Sequence, residues 1–167
     1  MNQKARQFAL GLGRLKERGY DPWGPFVQAW LETAQFNRII GNHNYWGMKC
    51  PRKWAGITIT IITHEDKKVE YEENGEKKFR FEKVQINDNF VDFPNLDQSL
   101  DFYDMQVQRL YKDAYSFRGN HMAFWEHLVD SDEPGEFCWA TDRIYFQKLA
   151  KIYLMVSVNP AVREFIP

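Results

Sequence analysis

A single β-hairpin pattern, set between stretches of helical spacing, is the feature that most restricts the fold of this 167-residue chain. Asn74-Gly75 is the commonest two-residue hairpin turn. Apolar and polar residues alternate on both sides of this turn, as they do in half-buried antiparallel strands. The alternating runs are 57–61, 68–73 and 79–84. They predict a small antiparallel lobe over residues 57–92.

Helical spacing dominates before and after the hairpin. Residues 3–18 predict a basic amphipathic helix, and Pro25 suits the first turn of the next one. In that second helix an apolar stripe faces the core, whereas Gln28 and Glu32 fall on the wetter side. Segment 41–56 is rich in glycine, proline and aromatic residues and predicts an ordered loop. Further helices are predicted over 96–110, 122–129 and 142–157.

The order of these elements predicts the fold class. We expect one α+β domain over residues 1–167, with a mainly helical body and the hairpin as a lobe beside it. A chain of this length can bury a core without metals or disulfides. A groove is expected between the body and the lobe.

Composition and motifs argue against several functions. The formal net charge is -1, so no overall field favours nucleic acid or an anionic membrane. Gly11-Leu12-Gly13 is followed by Lys16 where a dinucleotide-binding motif has its third glycine, and no phosphate loop occurs. The four histidines lack the spacing of metal ligands, so we expect neither a metal nor a cofactor.

Export and redox signals are equally sparse. The N-terminal residues lack the apolar region of a signal peptide, and no apolar run is long enough to span a membrane. Cys50 and Cys138 lack the paired spacing of a zinc site, and one disulfide between them is left open.

Carboxylates remain as candidates for chemistry. Glu32 lies near a predicted helix end beside Trp30, with Trp46 and Trp54 nearby in the sequence. Loss of water on that side would favour its neutral form, which is the form a glycosidase acid needs. The alternative is a solvated glutamate on the polar face of an amphipathic helix.

Short motifs follow Glu32 in a fixed order. They are Leu31-Glu32-Thr33, Asn44-Tyr45-Trp46-Gly47-Met48-Lys49, Trp54-Ala55-Gly56, Thr63-His64-Glu65 and Trp139-Ala140-Thr141-Asp142-Arg143-Ile144-Tyr145-Phe146. In this order they resemble the glucosaminidase family of peptidoglycan hydrolases, glycoside hydrolase family 73, from Phe26 to Tyr153. The chain departs from the family pattern where Ala34-Gln35-Phe36 replaces Gly-Trp-Gly and where Trp139 replaces a tyrosine. An additional stretch, 84–92, follows the hairpin.

The resemblance implies a lysozyme-like fold with Glu32 as the general acid. It also implies Glu65, in the β-lobe, as a second carboxylate. Three further glutamates of the same hairpin are alternatives for that second role, namely Glu70, Glu72 and Glu73. An N-acetyl sugar can also supply its own nucleophile, which would dispense with the second carboxylate.

The resemblance further implies a set of substrate-binding residues, each of which has a structural alternative or departs from the family pattern. Tyr145 corresponds to the family's cleft tyrosine, although it could also pack in the core. Trp46 and Trp54 could stack on sugars or anchor their loop. Asn44 could bond the substrate or form a turn. Trp139 completes the set.

The function implied is an endo-β-N-acetylglucosaminidase that cuts the β-1,4 bond after N-acetylglucosamine in peptidoglycan. The expected partner is the glycan strand, with no nucleic acid and no membrane insertion, and the enzyme is expected to be a monomer. The expected location is the bacterial cell wall, periplasmic or extracellular, with phage-lysin-like or machinery-delivered export. The alternatives are a muramidase or lytic transglycosylase on the same fold, and a glycan-binding module without activity.

Overall fold

The computed structural model describes residues 1–129, 139–140, 142 and 144–167, and the side chains of Glu65 and Asp66 are outside this description. The helices within these ranges are α1 Gln3–Gly11, α2 Gly13–Glu17, α3 Trp23–Glu32, α4 Leu96–Leu110, α5 Lys112–Ser116, α6 His121–Val129, α7 Tyr145–Ser157 and α8 Pro160–Arg163. The strands are β1 Thr58–Glu73 and β2 Glu76–Val91. The predicted α+β class, a helical body with one antiparallel hairpin, is confirmed.

Local sequence signals explain several helix ends. Asn95 is the N-cap of α4, because its side chain accepts a hydrogen bond from the Gln98 N–H at 3.0 Å. The predicted helix over 3–18 is divided at Leu12 into α1 and α2. The last long helix begins at Tyr145, three residues later than predicted, because Asp142 bonds the N–H of Ile144 in the preceding turn.

Aromatic side chains fill the core between the helices. The Phe8 ring of α1 lies 6.4 Å from that of Phe26 in α3 and 4.6 Å from that of Tyr45 in the loop. Each of these residues is almost completely buried. The loop over 41–56 is therefore fixed to the helical body by its own aromatic residues, as large apolar surfaces favour.

The hairpin stays within the predicted lobe over 57–92, but its strands are longer than the predicted alternating runs. Strands β1 and β2 pair over their whole lengths around the Asn74-Gly75 turn, so residues 62–67, 76–78 and 85–91 also belong to the ladder. The polar run from His64 to Lys68 had hidden this continuity, but a ribbon exposed on both faces tolerates polar residues. Among the described side chains of the hairpin, only Phe90 and Val91 are buried, and both lie at its base.

Asp92 fastens the base of the hairpin to the loop. One carboxylate oxygen accepts from the N–H groups of Asn42 and His43 at 2.9 and 3.0 Å, and the other accepts from the Asn42 side chain at 2.9 Å. Gly41 has a φ of +61°, and a Cβ there would lie 2.4 Å from the Asp92 carboxyl carbon. The close approach therefore requires glycine.

Asp92→Asn is expected to lower the free energy of unfolding by about 1–3 kcal/mol. Both carboxylate oxygens of Asp92 accept hydrogen bonds, whereas an amide has one acceptor oxygen. The NH₂ group of the variant would therefore face a donor of Asn42 or His43. Burial acts to raise the pKa of Asp92, but these hydrogen bonds outweigh it and lower the pKa below 3.8. The stabilisation is therefore present at neutral pH and is lost as pH falls through the lowered pKa. Urea unfolding at pH 7 and pH 3 measures it, with Glu126→Gln at an exposed position of α6 as the control. Equal stability of Asp92→Asn and wild type at pH 7 would contradict this account.

Candidate active site

Glu32 is the last residue of α3, and two aromatic side chains hold its carboxylate. The Tyr145 hydroxyl, at the start of α7, donates to Glu32 Oε1 at 2.7 Å. The Trp139 indole N–H donates to the same oxygen at 3.4 Å. Since both bonds end on Oε1, the proton of the neutral acid belongs on Oε2.

The surroundings of Glu32 favour its neutral form. One side of the residue is exposed to solvent, yet the protein packed around the carboxyl group limits its hydration. This burial raises the pKa of Glu32 above 4.5, although the hydrogen bonds from Tyr145 and Trp139 act in the opposite direction. Glu32 is thus placed to keep a proton at higher pH than an ordinary glutamate.

Gln28, one helical turn before Glu32, connects the surroundings of the acid to α4. The prediction that Gln28 lies on a wet face is wrong: its side chain is completely buried. Its oxygen accepts from the Tyr103 hydroxyl at 2.5 Å. Tyr103 in turn lies against the Trp139 ring, with centroids 5.8 Å apart. A buried polar residue on α3 therefore connects the acid to α4.

The chain leaves α3 through an unusual backbone turn immediately after Glu32. Ala34, Gln35 and Phe36 have φ angles of 48°, 64° and 62°, in the left-handed region. The Thr33 hydroxyl stabilises the turn, donating to the Ala29 carbonyl at 2.6 Å and accepting from the Phe36 N–H at 2.8 Å. This is the position where the family pattern has Gly-Trp-Gly.

Ala34→Gly is expected to raise the free energy of unfolding by up to about 1 kcal/mol. A left-handed residue with a Cβ costs about 1–2 kcal/mol, and the larger unfolded-state entropy of glycine cancels part of the relief. Ala150→Gly, the same change in the interior of α7, should instead destabilise by about 1 kcal/mol. Thermal unfolding of both variants measures the difference, and loss of stability in both would show that Ala34 is not strained.

A groove of about 480 Å³ opens in front of Glu32. This volume is in the range of small-molecule and cofactor sites. The lining residues are Glu32, Trp46, Gly47, Met48, Lys49, Cys50, Pro51, Phe102, Gln106, Arg109, Leu110, Tyr111 and Trp139. One wall is thus the loop after α3, and the other is the second half of α4.

The hairpin begins beside this groove. The Cys50 N–H donates to the Asn89 carbonyl at 2.8 Å, and the Val91 N–H donates to the Met48 carbonyl at 3.1 Å. The Lys49 ammonium also lies 2.5 Å from the Asp88 carboxylate. These contacts join a groove-lining segment to the end of β2.

Three predicted substrate-binding residues have mainly structural contacts. Asn44 is buried and bonds the Met48 N–H and carbonyl and the Val91 carbonyl, so it forms the turn. Trp46 is 2% exposed and stacks on Tyr103, so at most its edge borders the groove. Trp54 packs edge-on against Phe102 and is not among the lining residues. These positions favour loop anchoring over sugar stacking.

The hairpin glutamates lie farther from the helical body. Glu65 pairs with Val84, about 23 Å along β1 from Thr58 at about 3.3 Å per residue. Glu70 and Glu73 pair with Lys77 and Lys78, at 2.8 and 2.6 Å. Their charges are thus compensated within the hairpin.

Three groove residues were not predicted from the sequence, namely Gln106, Arg109 and Tyr111. Gln106 and Arg109 lie one and two turns after Phe102 on α4, and this spacing places all three on one helix face. The sequence signal for these residues was Gln106, a polar residue on a largely apolar face of α4. It indicates a groove residue only once the structure shows that a groove lies along this face.

Other types of site find no support in the described ranges. These residues contain no cluster of three potential metal ligands. No helix in the same ranges is long and apolar enough to cross a bilayer. Cys50 Sγ lies 3.6 Å from the Thr58 hydroxyl oxygen, while Cys138 and Thr141 are outside the described residues.

Solved structures with the same architecture include two hydrolases. A peptidoglycan hydrolase mutant from Sphingomonas sp. A1 has a TM-score of 0.60 and 23% identity, covering 98% of this chain and 90% of that chain. A C-terminally truncated glycoside hydrolase domain from Salmonella typhimurium FlgJ has a TM-score of 0.61 and 21% identity, covering 92% of this chain and 97% of that chain. No protein-family model and no curated protein matches the chain. The chain therefore has the fold of these two hydrolases, and the predicted lysozyme-like architecture is confirmed.

Proposed function

We propose that this protein is a peptidoglycan hydrolase that cleaves the β-1,4 bond after N-acetylglucosamine. The observation that carries the proposal is Glu32, a carboxyl group whose pKa burial raises and which lines an open groove. Glycoside hydrolysis requires a group of this kind to protonate the leaving oxygen. The two structures of the same fold, named as a peptidoglycan hydrolase and a glycoside hydrolase domain, support the choice of substrate.

In the proposed reaction the Glu32 proton on Oε2 passes to the glycosidic oxygen as the bond to the sugar breaks. Tyr145 and Trp139 stabilise the carboxylate that remains, since both donate to Oε1. Either the Glu65 carboxylate or the substrate's own acetamido group then stabilises the sugar cation. Water completes the cleavage and returns a proton to Glu32.

Digestion of purified peptidoglycan tests the proposal. Released fragments should carry N-acetylglucosamine at their reducing ends, as identified by borohydride reduction and mass spectrometry. N-acetylmuramic acid ends would instead indicate a muramidase, and anhydro ends a lytic transglycosylase. Sedimentation with the cell wall without any cleavage from acidic to neutral pH would indicate a glycan-binding module. The proposed place of action is the bacterial cell wall, and the proposed state is a monomer.

Tyr145→Phe is expected to move the alkaline limit of activity to higher pH while lowering the maximal rate roughly tenfold. The lost hydrogen bond lowers the pKa of Glu32 in the wild type, so its removal lets burial raise the pKa further. The acid therefore stays protonated to higher pH, but it is less well oriented, at a loss of about 1.4 kcal/mol. Rate against pH measures both effects.

Tyr153→Phe on the same helix is the control, because its ring packs on Trp23 and His121 away from Glu32. It should leave the pH profile unchanged. A Tyr145→Phe profile that shifts to lower pH would contradict the assignment of Glu32 as the acid.

A further inference from the structure

Gln106 lines the groove and carries a buried amide. The residue is 7% exposed and lies on α4, one turn after Phe102. Among the described residues, its Nε2 has no hydrogen-bond partner. A buried donor without a partner costs about 1–3 kcal/mol, so it calls for an explanation.

Arg109 fixes the orientation of this amide. Its Nη2 donates to Gln106 Oε1 at 2.9 Å. A guanidinium group has donors only, so the oxygen of the amide must face Arg109 and the NH₂ group must face away. The hydrogen-bonding capacity that Gln106 has left is therefore a donor and not an acceptor.

The groove that Gln106 lines is largely apolar. Phe102, Tyr111, Trp139 and Met48 line the same groove, together with Glu32. A ligand group that fits such surroundings has an acceptor oxygen with a small apolar group beside it. The acetamido group of an N-acetylated sugar has both, a carbonyl oxygen and a methyl group.

We propose that Gln106, held by Arg109, binds the carbonyl oxygen of an N-acetyl group on the glycan and so makes the groove selective for N-acetylated sugars. This inference rests on the proposed function, because it takes a glycan as the ligand. It explains why a polar side chain is kept buried in the groove wall. It also assigns the second half of α4 to substrate recognition.

Binding of two oligosaccharides to the non-cleaving Glu32→Gln protein tests the proposal. Isothermal titration would compare chitotetraose with its de-N-acetylated glucosamine tetramer. Gln106→Glu keeps the shape and the contact with Arg109, but replaces the donor with an acceptor. It should weaken chitotetraose binding at least about tenfold, the loss of one hydrogen bond of about 1.4 kcal/mol. Gln106→Met should weaken chitotetraose similarly and leave the glucosamine tetramer unchanged.

The control is Gln108→Glu, the same change at an exposed position of α4, which should leave both affinities unchanged. Thermal unfolding separates recognition from a structural role. Gln106→Met removes an unpaired buried donor and should raise the unfolding midpoint, whereas loss of a structural contact would lower it.

Several results would overturn the proposal. Unchanged chitotetraose affinity in both Gln106 variants would show that Nε2 makes no contact with the ligand. Equal weakening of both oligosaccharides by Gln106→Met would place a hydroxyl group, not the acetamido group, at this position. If Glu32→Gln binds neither oligosaccharide while the wild type still cleaves peptidoglycan, the acetamido proposal fails and the proposed function stands. If cleavage is also absent, both fail.

Discussion

Glu32→Gln is expected to lower the rate of peptidoglycan cleavage by about 10²- to 10⁴-fold, the usual contribution of a general acid. Glutamine keeps the shape of the side chain and an oxygen that can accept from Tyr145 and Trp139, but it has no proton to give. Binding should survive for the same reason. Turbidity loss of a peptidoglycan suspension measures the rate, and sedimentation with the insoluble wall measures binding.

The same variant has an expected effect on stability that can be checked independently. Because burial raises the pKa of Glu32 in the folded protein, folding becomes less favourable as pH rises from the unfolded pKa through the folded one. Glu32→Gln removes that charge, so it should unfold at a higher temperature than the wild type at pH 7. The two proteins should converge below pH 4.5, where glutamate is protonated in both states.

Glu126→Gln, the same change at an exposed position of α6, should alter neither the rate nor the unfolding midpoint. If Glu32→Gln clears peptidoglycan as fast as the wild type, Glu32 is not the acid. If the unfolding midpoint of Glu32→Gln is lower than that of the wild type at pH 7, the fold stabilises the Glu32 carboxylate, and its pKa is not raised.

Shortening the hairpin is the second change with a large expected effect. Two variants leave hairpins of different lengths. In the one with the longer remaining hairpin, called the longer variant, Asn-Gly replaces residues 68–81 and joins Lys67 to Glu82. In the shorter variant, Asn-Gly replaces residues 64–85 and joins Thr63 to Ile86. Each junction links residues that pair directly across the ladder, an even number of positions from the Glu73–Glu76 pair that closes the natural turn. Both are therefore hydrogen-bonded pairs of the same type, which a two-residue turn requires.

The two hairpin variants separate the candidate carboxylates. The longer one keeps Glu65 and removes Glu70, Glu72 and Glu73, so it should retain most of the activity. The shorter one also removes Glu65 and should lose about 10²- to 10⁴-fold in rate. Both should fold, because the buried residues among the described hairpin side chains, Phe90 and Val91, remain.

Turbidity assays and thermal unfolding of both hairpin variants provide the measurement, with Glu65→Gln as the point-substitution counterpart. Full activity in the shorter variant would exclude every glutamate of residues 64–85 and favour the acetamido group as nucleophile. Inactivity of the longer variant, with activity retained in Glu65→Gln, would move the role to Glu70, Glu72 or Glu73.

Local signals were sufficient for the longer elements because each acts through neighbouring residues, whereas the short helices α5 and α8 were not predicted. Asn95 caps α4 through an N–H three residues away, and Asn74-Gly75 sets the hairpin through its own backbone angles. The ends of the strands could not be predicted as well. A ribbon exposed on both faces has no alternation to maintain, so polar residues such as His64 and Lys68 concealed its continuation.

The sequence by itself determined the types and order of the longer elements and the position of Glu32 at a helix end. Only the tertiary structure decided which side chains meet there. Tyr145 lies 113 positions after Glu32, yet the two share a hydrogen bond, because α7 packs beside α3. Gln28 is buried and Trp46 is stacked in the core for the same reason: neighbouring elements, not helical or loop spacing, determine which faces lose water. Periodicity ranks the faces of one element by hydrophobicity, whereas burial depends on how several elements pack together.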